Sequence, residues 1–191
     1  SHDIGEKGMT ILTRLMHRGA TGNDPETGDG AGLLLKIPHG FFRKVLAGRT
    51  SDDRLRTSTP EVGSQKSEVK CSSGEFGVAM IFGGEGEETK IEAAVTGEGC
   101  AVLAWRDVPT NPAAIGHDAR AVMPRIRQLF VRTSAVGQQT SEVLSPKSDV
   151  LSFERRLYVI RRQIEKTTKK TYVCSCSSRT IVYKEIGRAH V

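Results

Sequence analysis

Aromatic side chains are scarce in this sequence, at 5% of 191 residues, and apolar residues reach only 37%. A chain of that length still holds enough apolar material for one sizeable core or two small ones, with some stretches left loose. No run of about 18 apolar residues occurs, so no membrane-spanning helix is expected. The opening residues, SHDIGEKGM, hold no apolar signal core and no transit-peptide pattern, so secretion is not expected. Position 1 is serine rather than an initiator methionine, as in a stretch taken from inside a longer polypeptide. Neither GxGxxG nor GxxxxGK(S/T) occurs, which removes the usual loops that cradle phosphates. Cys71, Cys100, Cys174 and Cys176 form no CxxC pair and have no histidine at metal-ligand spacing, so no metal site is expected. Cys174 and Cys176 alternate in a strand-like run, which predicts one shared face and packing as small apolar groups. Unpaired thiols fit a reducing compartment.

Positive charge is plentiful by contrast, with a net +6. Much of it sits in Arg155, Arg156, Arg161, Arg162, Lys166, Lys169 and Lys170. Such a run raises nucleic acid as a partner. A solvated helix face explains it more simply, since no aromatic stacking pattern accompanies it.

The chain is organised around Leu15 to Gly32, LMHRGATGNDPETGDGAG. Glycine at 19, 22, 28, 30 and 32 and proline at 25 let the backbone turn tightly and pass close to a neighbouring strand or substrate. The ordered string of His-Arg-Gly-Ala, Asn-Asp-Pro-Glu-Thr-Gly-Asp-Gly-Ala-Gly, Ile37-Pro38-His39 and Phe41-Phe42 resembles the amino-terminal glutaminase domain of the glutamate synthases. These are class II glutamine amidotransferases, a branch of the N-terminal-nucleophile hydrolases. Further matches are Trp105-Arg106-Asp107-Val108-Pro109, with Ala104 where the family has glycine, then Asn111-Pro112, Gly116 and Met123-Pro124. FERRLYVIRRQIEK from Phe153 and YVCSCSSRTIVYK from Tyr172 complete the likeness.

Taken in order, Ser1 to Met16 predicts a helix with Ile4, Gly8, Ile11, Leu12, Leu15 and Met16 near one face. GLLLKI (32–37) predicts a buried strand stopped by Pro38, and a helix is expected from Phe41 to about Leu46. Residues 47–75 are a polar loop or insert. Strands are expected at 76–82, 100–105 and 126–132, with a weak helix around 89–95 between the first two. Residues 133–150 are a second polar linker. Phe153, Leu157, Ile160 and Ile164 then mark an amphipathic helix. Thr171 to Ser175 and Thr180 to Lys184 are expected to form a hairpin. These elements make an α/β (α+β) layered domain. The resemblance implies the four-layer αββα N-terminal-nucleophile hydrolase sandwich, incomplete over 1–184. Residues 185–191, EIGRAHV, depart from the family string and are what a common sequencing-library adapter encodes in frame; they are expected to be a non-native tail.

The resemblance also implies the chemistry. The family's nucleophile is an amino-terminal cysteine whose own α-amine, titrating near pH 8, serves as the base. Internal cysteines have no such amine, and that nucleophile is expected upstream of Ser1. Ser1 itself leads a helix and is an unfavourable nucleophile. An arginine that holds the substrate carboxylate and an Asn-Gly oxyanion hole are expected downstream of Lys184, and Arg179 is not that arginine. Arg18, Gly19, Asp29 and Gly30 are candidates for the wall of the active site. Arg18 has a thiolate-stabilising role or a structural one open to it, and Asp29 a turn role. His17 and His39 are expected to satisfy local hydrogen bonds. No cofactor is expected in this chain; FMN and an iron–sulfur cluster are implied for the parent enzyme. The expected partners are glutamine and the remainder of the parent chain, in cytoplasm or plastid. Two other functions stay open: a catalytically dead binding or regulatory module of the same fold, and a basic nucleic-acid-binding domain using the helix at 153–170.

Overall fold

The structure is a computed structural model that describes residues 2–15, 32–48, 76–134 and 146–184. The element order is α1 (His2–Arg14), β1 (Gly32–Lys36), α2 (His39–Gly48), β2 (Gly77–Gly83), α3 (Glu88–Gly97), β3 (Cys100–Asp107), a 3-10 turn (Pro112–Ala114), α4 (His117–Ala121), β4 (Ile126–Thr133), α5 (Pro146–Thr167), β5 (Thr171–Ser177) and β6 (Thr180–Lys184). The inserts expected at 47–75 and 133–150 lie mostly outside the described residues, but α5 begins at Pro146, inside the second of them. Proline suits a first helical position because its missing N–H has no partner there to lose.

Two antiparallel sheets result, one in the order β3-β4-β2-β5 and one made of β1 and β6. Strand β2 is buried along its whole length because it faces apolar material on both sides. Ala79 and Ile81 point into a core shared with Leu129, Val131 and Val173, covered by Ile91 and Val95 of α3 and by Phe153, Leu157, Ile160 and Ile164 of α5. The predicted spacing of α5 is therefore the spacing of its buried face. Val78, Met80 and Phe82 point the other way, into a second core with Phe130, Phe42 of α2 and Ile181 of β6. Gly77 is where α5 comes closest: a Cβ there would lie 2.6 Å from a methyl of Leu157. The layers run helix, sheet, sheet, in agreement with the αββα order. Leu34, on the β1–β6 sheet, is 66% exposed.

Three expectations need correction. Strands β5 and β6 do not form a hairpin: β5 pairs with β2 and β6 pairs with β1, so the chain passes from one sheet to the other at Ser178-Arg179. Cys174 and Cys176 do not share a face. The β2–β5 ladder runs Met80 to Ser175 and then Ile81 to Val173, leaving Cys174 as the extra residue of a bulge. Cys174 consequently packs in the second core and Cys176 against the first. Helix α1 forms as expected, yet its apolar face is largely open, with Ile4 63% and Ile11 59% exposed and only Gly8 and Leu12 half-buried. The stretch after β3 carries the 3-10 turn and α4. Asn111 starts that turn by accepting a hydrogen bond from the Ala113 N–H at 3.2 Å.

Candidate functional site

Arg18, Gly19, Asp29 and Gly30 lie outside the described residues, as do His17, Ser1 and Cys71. The described residues fix where that glycine-rich stretch delivers the chain. Gly32 opens β1 and pairs with Lys184 at the end of β6, whereas Lys36 pairs with Thr180 at the corner. One end of the small sheet therefore brings together the exit of the glycine-rich stretch and the end of the YVCSCSSRTIVYK string. Arg179 sits just beyond the opposite end, past Thr180 and about 17 Å from Lys184 along an extended chain, exposed.

Behind the Gly32 end, a polar thread crosses both sheets. The Arg106 guanidinium on β3 donates to Gln128 Oε1 at 2.8 Å, and Gln128 Nε2 donates to the Tyr183 hydroxyl at 3.4 Å. Gln128 is fully buried, so both ends of its amide must find partners inside the protein. Tyr183 also lines a cavity of about 280 Å³ with Met80, Phe82, Val108, Pro109 and Ile115. Every residue from Trp105 to Pro109 takes part in this arrangement. Trp105 Nε1 donates to Glu92 at 2.8 Å, and its ring stacks 4.7 Å from the Arg127 guanidinium. Asp107 accepts two bonds from Arg125 at 2.7 and 2.8 Å, which raises the Arg125 pKa. Val108 bonds through its N–H to the Ile126 carbonyl at 2.9 Å and, with Pro109, faces the cavity. The string thus ties β3 to β4 and shapes the wall next to Tyr183. Arg127, nearly fully buried, also donates to the Gly83 and Gly84 carbonyls and to Glu88.

The corner at the other end is held from two sides. Glu154 of α5 accepts from the Ser178 N–H and from the hydroxyls of Ser177 and Ser178. His39 Nε2 lies 3.1 Å from the Ser178 carbonyl, a hydrogen bond as expected for it but to a partner distant in the sequence. Glu87 does similar work where α5 meets β5, accepting from the Lys169 and Lys170 N–H groups and the Thr171 hydroxyl. Those bonds, led by the one from Lys169, hold its carboxyl below the usual range. None of Gln128, Glu87 or Glu154 was singled out from the sequence. The signal available was a glutamine beside an arginine inside the apolar strand IRQLFV; the two glutamates carry no local signal, since their partners are distant in the chain.

Two of the described cysteines, Cys100 and Cys176, are poor nucleophiles. Burial pushes the Cys176 thiol up to about 12, and burial also raises Cys100 despite the neighbouring Arg156. A thiol held protonated cannot attack an amide. Among the described residues, no group of three or more His, Cys, Asp or Glu side chains converges to hold a metal ion.

Over residues 1–191 the sequence matches the family of class-II glutamine amidotransferases. The chain belongs to that family. It is 39% identical to the large chain of the NADPH glutamate synthase of Bacillus subtilis, covering 96% of the present chain and 11% of that protein. It is 32% identical to the chloroplastic ferredoxin-dependent glutamate synthase of Oryza sativa, with 100% and 11% covered. The NADH glutamate synthase of Schizosaccharomyces pombe is 31% identical, with 96% and 8% covered. The chain thus spans about a tenth of the length of the curated relatives it matches. Class-II amidotransferases are N-terminal-nucleophile hydrolases, and the helix, sheet, sheet order found here is an incomplete form of their sandwich.

Proposed function

We propose that this stretch is part of the glutaminase domain of a glutamate synthase, which hydrolyses glutamine to glutamate and ammonia for transfer to 2-oxoglutarate. The observation that carries the reading is the family match along the whole chain, together with the meeting of Gly32 and Lys184 at one sheet end. On this reading Arg18, Gly19, Asp29 and Gly30, just before Gly32, form one wall of the site. The nucleophilic cysteine arrives from upstream, and the carboxylate-binding arginine and oxyanion-hole Asn-Gly arrive from downstream of Lys184.

The thiolate attacks the side-chain amide carbon after giving its proton to the chain's own α-amine. The resulting oxyanion is held by hydrogen-bond donors, and collapse expels ammonia, which takes the proton back. Water then cleaves the thioester to release glutamate. The 1–184 region contributes scaffold. By itself the 191-residue chain is inactive on this reading, because its cysteines are internal and carry no α-amine to serve as the base, and burial also raises the pKa of Cys100 and Cys176. FMN and the iron–sulfur cluster belong to other parts of the longer polypeptide, which works in the cytoplasm or a plastid.

The test is glutamate release from glutamine by two preparations: the 191-residue chain, and the polypeptide extended at both ends to the length of its relatives. Activity only in the extended polypeptide, lost by about 10³-fold when its amino-terminal cysteine is changed to serine, is the expected result. A folded, extended polypeptide that leaves glutamine intact overturns the reading.

A further inference from the structure

The outer face of α5 has a composition that solvent alone does not require. Leu151, Arg155, Tyr158, Arg162 and Lys166 follow one another at intervals of four, three, four and four, so they lie along one stripe of the helix. Tyr158 is 62% exposed and Leu151 52%, with Val159 exposed beside them. The opposite face is spent on the core through Phe153, Leu157, Ile160 and Ile164. A helix that needed only to be wet on its outer side would not carry an aromatic and two aliphatic residues there.

The charges on this helix are also unbalanced. From Pro146 to Thr167 it contains six Arg or Lys and three carboxylates, Asp149, Glu154 and Glu165. Glu154 is committed to the β5–β6 corner. Glu165 is shared by Arg161 and Arg162 at 2.9 and 2.5 Å. Arg155 and Lys166 form no ion pair with any described residue. The stripe therefore alternates apolar Leu151 and Tyr158 with basic Arg155, Arg162 and Lys166, the pattern of a surface whose partner is amphipathic and acidic.

From this we infer that the outer face of α5 is a docking surface for an acidic, amphipathic segment of the longer polypeptide. The inference rests on the proposal that the chain is a piece of a glutamate synthase. Relatives are about nine times as long as the stretch that matches, so most of the protein that would cover this face lies elsewhere in the chain. Glutamine chemistry has no part in the argument, because α5 covers the four-stranded sheet on the side away from the small sheet and the Gly32 end.

The experiment places a thiol on the stripe with Tyr158→Cys, and separately with Leu151→Cys, in both the 191-residue chain and the extended polypeptide. Labelling by a maleimide is followed by peptide mass spectrometry, so that native cysteines are counted apart. The new thiols should react freely in the 191-residue chain and about tenfold more slowly or less in the extended polypeptide. Adding Arg155→Glu to the extended polypeptide should restore fast labelling. Equal labelling in the two lengths overturns the docking surface, and shielding that Arg155→Glu leaves intact overturns the acidic partner. Concentration-dependent shielding in the 191-residue chain would assign the face to a second copy instead. Shielding of that chain by an oligonucleotide, lost on adding salt, would assign it to nucleic acid. Glutaminase activity is scored separately, so an active polypeptide with an open stripe sinks only this inference, and a shielded stripe without activity sinks only the catalytic reading.

Discussion

His39 is buried at the head of α2, its ring edge-on to Phe76 at 5.0 Å. The Ser178 carbonyl can only accept, so Nε2 carries the proton of the neutral ring and Nδ1 is left as a buried lone pair with no partner. Charging the ring would create a second N–H with nothing to receive it, near the cations Arg43 and Lys36. Burial, opposed in part by the Ser178 carbonyl, holds the pKa below its ordinary 6.5. With the folded value below the unfolded one, the unfolded chain takes the proton first as pH falls. The contribution of His39 to stability is complete above about 6.5 and shrinks as pH drops from there to the folded value. The urea midpoint should therefore fall between pH of about 7.5 and about 5.5, and His39→Gln should flatten that part of the curve. A wild-type midpoint that is level across the interval would show that the ring is free to charge in place. The sequence pointed to a hydrogen-bonded His39, but not to its partner 139 residues away. Arg18, Gly19, Asp29 and Gly30, which lie outside the described residues, were nominated by a different route, through the ordered string that carries them, and periodicity alone offered no way to choose them.

At the scale of elements, what was legible depended on whether the cause was local. The spacing of Phe153, Leu157, Ile160 and Ile164 is written into α5 and survives into the core. The apolar runs of β2 and β3 need only burial to become strands. The supposed hairpin at 171–184 failed because Ser177, Ser178 and Arg179 read as an ordinary turn. Their direction is set instead by Glu154 and His39, which reach them from α5 and α2. The bulge at Cys174 is equally silent, since no glycine or proline marks it. Glycine is informative at the end of β2. Gly83 has φ of +71°, and a Cβ there would lie 2.5 Å from the Lys170 carbonyl oxygen. Gly83→Ala should cost about 1–3 kcal/mol from the backbone conformation alone, and more from the contact, in urea unfolding. Gly97 in α3 has open space around its Cβ direction, and Gly97→Ala should instead be neutral or stabilising by about 0.5–1 kcal/mol. If both substitutions behave alike, the strain assigned to Gly83 is misplaced.

The molecule as a whole holds its layers unequally. The four-stranded sheet lies between two cores, and its central strand β2 is buried from Gly77 to Gly83. The small sheet has two strands of five residues each, alternately exposed along β1. Two strands alone are marginal in water, and this pair is held mainly by the second core and the corner at Ser178. Local opening should follow that difference, because the least protected elements are those with the fewest buried contacts. Amide exchange at 32–36 and 180–184 should outpace exchange at 77–83 and 128–131 by about 100-fold, or roughly 2.7 kcal/mol in opening free energy. Within the small sheet, protection should rise toward Lys36 and Thr180, where Ile37 donates to the Arg179 carbonyl at 2.9 Å, and fall toward Gly32 and Lys184. The end expected to open first is thus the one that adjoins the glycine-rich stretch. In the extended polypeptide, further chain packed on the small sheet should close the gap between the two sheets. If the 191-residue chain already protects both sheets equally, the small sheet is not waiting for a partner, and the incomplete sandwich is stable as it stands.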